Sequence, residues 1–180
     1  MRVLDKREKV SRREFLATSG AASAAAFTVG AGMVACPKGA WAISVQHLKP
    51  ETMQTLVLLA RDIYPHDRLS DRYYAAAVQG YDEQAGGDAD LKALIEDGVA
   101  TLDGLAGAQH GVRYVELGWE AERVALLRQI EGGAFFQKIR GSLVTGIYAN
   151  AEVWPLFGYE GPSADKGGYL DRGFNDLDWL

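Results

Sequence analysis

The chain has 180 residues, 19 Lys and Arg against 24 Asp and Glu, and a formal net charge of −5. Its 48% apolar and 24% charged fractions are those of one globular domain, which excludes wholesale disorder, and the acidic balance argues against nucleic acid as the main partner. A single cysteine, Cys36, excludes an internal disulfide, an all-cysteine zinc site, an iron–sulfur cluster and a Cys-x-x-Cys-His haem attachment.

The charge is unevenly spread. Residues 1–13 hold Arg2, Lys6, Arg7, Lys9, Arg12 and Arg13 against Asp5 and Glu8. Phe15 to Cys36 then runs 22 residues without a charge, eight of them Ala and three Gly. A basic segment, an apolar segment and a small-residue box at Ala40-Trp41-Ala42 make a secretory signal, with cleavage expected after Ala42. Ser11-Arg12-Arg13-Glu14-Phe15-Leu16 resembles the twin-arginine (Tat) consensus, in which paired arginines precede an acid, Phe and Leu. A Sec signal or an uncleaved anchor is the competing reading. The Ala, Gly, Ser and Thr content weakens insertion into a bilayer and favours Tat. Met33-Val34-Ala35-Cys36 distantly resembles a lipoprotein box that would lipidate Cys36, although Met is atypical at its first position. Residues 1–42 therefore read as a twin-arginine signal, 43–150 as the domain, and 151–180 as an arm.

Pro50 suits a first helical turn, where its missing N–H costs nothing. Met53, Leu56, Val57, Ala60, Ile63 and Tyr64 then recur at helical spacing until Pro65. A second helix follows a Ser70 or Asp71 cap, with Tyr74, Ala77, Val78 and Tyr81 inward, and Gly86-Gly87 breaks it. Asp88 caps a third, with Leu91, Leu94, Ile95, Leu102 and Leu105 as its stripe, before a turn at Gly107–Gly111 and a connector at Val112–Leu117. A fourth spans about Trp119 to Glu131 through Val124, Leu127 and Ile130, and a fifth carries Phe136, Ile139, Leu143 and Ile147 on one face. No stretch alternates with period two, so the expected fold is all-α, a compact bundle of about five helices.

From Trp154 the composition changes. The last 27 residues hold six aromatics (Trp154, Phe157, Tyr159, Tyr169, Phe174 and Trp179), five glycines and two prolines. Gly and Pro interrupt any regular helix, while so many rings are foreign to a disordered tail. The arm is expected to be irregular and to bury its rings on its own domain, with a partner contributing part of the surface.

Chemical motifs are nearly absent. There is no dinucleotide fingerprint, phosphate loop or nucleophile elbow, and His47, His66 and His110 do not share a metal-binding spacing. His66-Asp67 is the one local cluster suited to acid–base or ligand chemistry, and a turn cap is the plainer reading of it. No catalytic, cofactor-binding or metal site is expected in this chain.

Several segments in order nevertheless resemble one family. These are the Tat signal, Leu59-Ala60-Arg61-Asp62-Ile63-Tyr64-Pro65-His66-Asp67, and Gly133-Ala134-Phe135-Phe136-Gln137-Lys138-Ile139-Arg140. Tyr148, Trp154, Gly158-Tyr159-x-Gly161-Pro162 and Gly167-Gly168-Tyr169 follow. The combination is similar to the gluconate 2-dehydrogenase subunit 3 family, small non-catalytic subunits of membrane-associated flavoprotein dehydrogenases. The resemblance implies a larger FAD-containing partner of the glucose–methanol–choline type that lacks its own export signal. The small subunit would escort it, folded and flavin-loaded, through the Tat translocon into the periplasm. A multihaem cytochrome c subunit often completes such complexes. Gluconate, sorbitol, fructose and glucose are among the family's substrates, all bound in the partner. A free-standing periplasmic binding or assembly factor is the alternative. Removing residues 1–42 takes away seven basic and three acidic side chains, leaving 12 and 21 in 138 residues, a net charge of −9.

Overall fold

A computed structural model describes residues 28–30, 32–36 and 41–170. Five helices build the body: α1 (Pro50–Ile63), α2 (Asp71–Ala85), α3 (Ala89–His110), α4 (Glu120–Ile130) and α5 (Ala134–Tyr148). A one-turn helix, α6 (Trp154–Phe157), and two short 3₁₀ turns, Tyr114–Glu116 and Ala164–Lys166, complete the helical elements among the described residues. The helical bundle read from periodicity is the observed architecture.

Helix α1 is central. Pro50 occupies its first turn, and Tyr64 N–H donates to the Ala60 carbonyl at 3.1 Å where Pro65 ends the run. Thr52, Met53, Thr55, Leu56, Val57, Leu58, Leu59, Ala60 and Asp62 are all buried, more than one face of an amphipathic helix can supply. Helices α2, α3, α4 and α5 surround it, which accounts for burial on several sides. The Asp88 carboxylate caps α3 by accepting from Leu91 N–H at 2.9 Å. That helix runs three residues past Gly107, to His110, before Gly111 ends it in the left-handed region at φ 75°. Helix α3 meets α5 where Gly98 lies under the Phe135 ring, and a Cβ there would fall 2.2 Å from Phe135 Cγ. Phe135 is the buried ring of that pair, and Phe136 is only partly buried.

The helical reading is incomplete at the N-terminal side. Three strands, β1 (Thr28–Gly30), β2 (Met33–Cys36) and β3 (Trp41–Ser44), form an antiparallel sheet in sequence order. Val34 stands opposite Val29 and Ile43, and β1 and β2 pack on α1 while β3 packs on α2. Val34, Cys36 and Ile43 are buried, and Val34 and Ile43 join the core. The sheet went unread because the segment is rich in Ala and Gly and its strands are only three or four residues long. No period of two can show over so short a run.

The connection from sheet to α1 is clamped by two carboxylates. Asp82 of α2 accepts from the backbone N–H groups of Gln46, His47 and Leu48 at 2.9, 2.9 and 2.8 Å. Glu96 of α3 accepts from Lys49 N–H at 2.9 Å and from Thr52 Oγ1 at 2.8 Å, and pairs with Lys49 Nζ at 3.2 Å. Burial raises the pKa of each carboxyl, and the donors outweigh it, so both stay below the usual carboxylate range.

Candidate functional site

The Tyr64-Pro65-His66 turn ends α1 directly beneath the C-terminal arm. His66 Nε2 lies 2.8 Å from the Tyr148 hydroxyl at the end of α5. The Phe157 ring of α6 packs edge-on against His66 at 4.8 Å between centroids and lies 5.8 Å from Tyr148. Tyr64 closes the group, with its ring 6.0 Å from Tyr148 in a T-shaped contact. From beneath, the buried Tyr74 hydroxyl donates to the Tyr64 carbonyl at 2.7 Å and accepts from His66 N–H at 3.2 Å. Burial raises the Tyr74 and Tyr148 hydroxyls above their ordinary pKa, with Tyr64 adding to the effect at Tyr148, so both stay protonated.

Trp154 fixes the arm to this surface. Its Nε1–H donates to the Tyr148 carbonyl at 2.8 Å, and its ring contacts Tyr159 edge-on at 5.4 Å. Gly161, at φ 93°, sits so close to that ring that a Cβ would lie 3.3 Å from Trp154 Cζ3. Trp154 thus serves as a bracket. The outward aromatic surface belongs to Tyr148, Phe157 and Tyr159, exposed by 38%, 39% and 47%. Tyr169 is exposed and makes no ring contact with this group. Phe174 and Trp179 lie outside the described residues, as do Arg12, Arg13, Phe15, Leu16 and Ala40. Ala42 lies within β3.

Beside the aromatic group opens a cleft of about 230 Å³, lined by Ile63, Tyr64, Val124, Leu127 and Phe136 with Arg128, Glu131 and Arg140 among its polar residues. Tyr64 belongs to both features, and its hydroxyl lies 3.4 Å from the Arg140 carbonyl oxygen. Arg128 and Arg140 are exposed and form no ion pair among the described residues. The cleft is smaller than the roughly 300–1,000 Å³ of ordinary ligand pockets.

Its inner wall is built on a buried network. Arg123 donates through Nε and Nη2 to Asp62 Oδ2 and Oδ1 at 2.7 and 2.9 Å, and through Nη1 to the Leu117 carbonyl at 2.8 Å. The Tyr114 hydroxyl donates to Asp62 Oδ2 at 2.6 Å. Burial, reinforced by Asp62, drives the Tyr114 hydroxyl far above its ordinary pKa, so it is a permanent donor. Burial lowers the Arg123 pKa, and the Asp62 contact more than reverses that, so the guanidinium stays charged. Every polar group here has a partner, and the network fixes where α1, α4 and the Tyr114 turn meet.

Sequence reasoning reached Trp154, Phe157 and Tyr159 but missed the Asp62–Arg123–Tyr114 network. Its one legible sign was Asp62 itself, which continues the inward row of Thr55 and Leu59 at spacings of four and three. His66 and Asp67 do not form a pair. His66 faces Tyr148 and Phe157, while Asp67 is exposed without a hydrogen bond or ion pair among the described residues. Trp119, 72% exposed before α4, is a further outward aromatic beyond the arm. Among the described residues no helix is long and apolar enough to cross a membrane. Comparison with protein-family models, curated proteins and solved structures finds no match to this chain.

Proposed function

We propose that this protein is the non-catalytic small subunit of a periplasmic FAD-dependent sugar or polyol dehydrogenase of the gluconate 2-dehydrogenase type. It escorts the folded glucose–methanol–choline-type flavoprotein through the Tat pathway and stabilises it afterwards. One observation carries the reading: Tyr64, His66, Tyr148, Trp154 and Tyr159, from separate segments of the family resemblance, converge with Phe157 on one surface.

Such a surface suits protein recognition. Interface cores are enriched in Tyr, Trp, Phe and Arg, and a few such residues dominate affinity. Tyr148, Phe157 and Tyr159 are half-exposed yet held in place from beneath, so little conformational freedom is left to lose on docking. Arg128 and Arg140 add guanidinium groups beside them for carboxylates or carbonyls of the partner. FAD is assigned to the large subunit. A multihaem cytochrome c often completes complexes of this type.

The test is co-purification from cells expressing both subunits. The wild-type chain should bring down a flavoprotein of roughly 60 kDa, a usual size for such large subunits, in stoichiometric amount with flavin absorbance. Replacing Arg12 and Arg13 by Lys should hold both proteins in the cytoplasm.

A further inference from the structure

We propose that the cleft between α4 and α5 receives an acidic segment of the flavoprotein, which lays an apolar side chain against the cleft walls and sets carboxylates on Arg128 and Arg140. The inference rests on the escort reading and specifies the contact that the partner supplies.

The cleft is an unfinished piece of hydrophobic core. Ile63 and Tyr64 at the end of α1, Val124 of α4 and Phe136 of α5 line it, and each stays only half-buried. These side chains come from three segments and meet around one hollow that opens to solvent. An apolar group placed there would take their remaining surface out of water. Interfaces are anchored in this way, by a few side chains seated in well-packed pockets.

The charge at the rim selects the sign of the partner. Residues 43–180 hold 12 basic and 21 acidic side chains. Yet the cleft presents Arg128 from α4 and Arg140 from α5, both exposed and both without an ion pair among the described residues. Of the carboxylates that line it, Asp62 is held by Arg123, which leaves Glu131 against two guanidinium groups. A guanidinium sheds water more readily than an ammonium and grips a carboxylate through two parallel hydrogen bonds. A basic or neutral segment would cover the apolar walls and leave both cations unanswered, at a cost in desolvation.

The cleft is continuous with the aromatic surface. Phe136, Arg140, Val144 and Tyr148 recur every four residues along α5, each one position beyond the buried row of Phe135, Ile139, Leu143 and Ile147. Phe136 and Arg140 line the cleft, Tyr148 belongs to the aromatic group, and Val144, 47% exposed, lies between them. That row spans about 18 Å, the length of about six extended residues, so one segment of a partner can touch both ends.

The test uses the full chain co-expressed with the flavoprotein. Arg128→Glu with Arg140→Glu changes exposed side chains that no ion pair holds, and should leave helix content by circular dichroism unchanged. Recovery of the flavoprotein should fall about tenfold, and the wild-type complex should weaken with added salt more steeply than the complex of Arg128→Gln with Arg140→Gln. Full recovery by the charge-reversed chain, or equal salt dependence, overturns the inference and leaves the escort reading standing. Absence of the flavoprotein from the wild-type preparation overturns both. A benzophenone label on Gly141→Cys, next to Arg140 and with nothing within 4 Å of a side chain placed there, identifies the occupant. Cys36 is buried and shielded from the label. Light should join the label to a flavoprotein peptide that carries Asp or Glu beside an apolar residue. A cross-link to a second copy, to residues 171–180 of the same chain, or to a flavoprotein peptide without a carboxylate overturns the inference.

Discussion

His66 and Tyr148 lie 82 positions apart in sequence, and their side chains meet at 2.8 Å. That contact joins the turn after the central helix to the start of the aromatic arm, and Phe157 covers it from outside. Loss of the hydrogen bond in Tyr148→Phe should cost about 0.5–1.5 kcal/mol, because the remaining groups reach water. The arm should loosen more than the bundle. Hydrogen exchange at the Gly158 and Tyr159 amides, which bond to Pro155 and Trp154 carbonyls, should quicken while the α1 amides stay protected. Equal protection throughout would mean that the arm holds without this contact.

The Asp62–Arg123 pair should be far more sensitive. Arg123→Ala leaves a buried carboxylate with only the Tyr114 hydroxyl for support, and should cost about 3–5 kcal/mol in urea unfolding. Tyr114→Phe leaves the bidentate pair intact and should cost about 1–3 kcal/mol. The double replacement Asp62→Leu with Arg123→Met removes both charges together and should recover much of the single-variant loss.

Acid should release the clamp between sheet and bundle. Asp82 and Glu96 have folded pKa values below the ordinary carboxylate range, so their stabilisation is fully present above the unfolded values. It declines as pH falls below about 4 toward the depressed folded values, since the unfolded chain takes up protons first. Asp82→Asn should therefore flatten the acid limb of a stability–pH curve and cost about 1–3 kcal/mol near neutrality. An unchanged acid limb would show that the three backbone donors do not control it.

Gly98 separates helix propensity from packing. In an exposed helix Gly→Ala gains about 1 kcal/mol. Here the new methyl would meet the Phe135 ring at 2.2 Å and force it off α3, so Gly98→Ala should destabilise by about 1–3 kcal/mol. Gly104 lies in the same helix, and a methyl group there would meet nothing within 4 Å, so it is the control and should be stabilised by Ala.

How much of this was legible follows from which interactions are local. Helix α1 announced itself through Pro50, a run of apolar residues at helical spacing and Pro65, and Asp88 marked the start of α3 through cap chemistry confined to one turn, whereas Gly107 reads as a stop that the helix passes through on its way to Gly111. The sheet was hidden, since strands of three or four residues gain their stability from packing on α1 and α2 rather than from their own pattern. Arg123 was hidden for a related reason. A charged residue on an amphipathic helix reads as solvent-facing, and only Asp62, 61 positions away, makes an inward guanidinium acceptable. The arm's aromatic character was legible, but its division of labour was not. Trp154 holds the arm through the Tyr148 carbonyl, whereas Phe157 and Tyr159 face outward.

The central claim is that this aromatic surface holds a flavoprotein, and co-purification of the full chain with its variants tests it most directly. Phe157→Ala and Tyr159→Ala together should leave helix content by circular dichroism unchanged and reduce recovery of the flavin-containing partner at least tenfold. Trp154→Ala should reduce it too, through disorder of the arm visible in hydrogen exchange. Full retention of the flavoprotein by the Phe157 and Tyr159 double variant, or its absence from the wild-type preparation, would contradict the account.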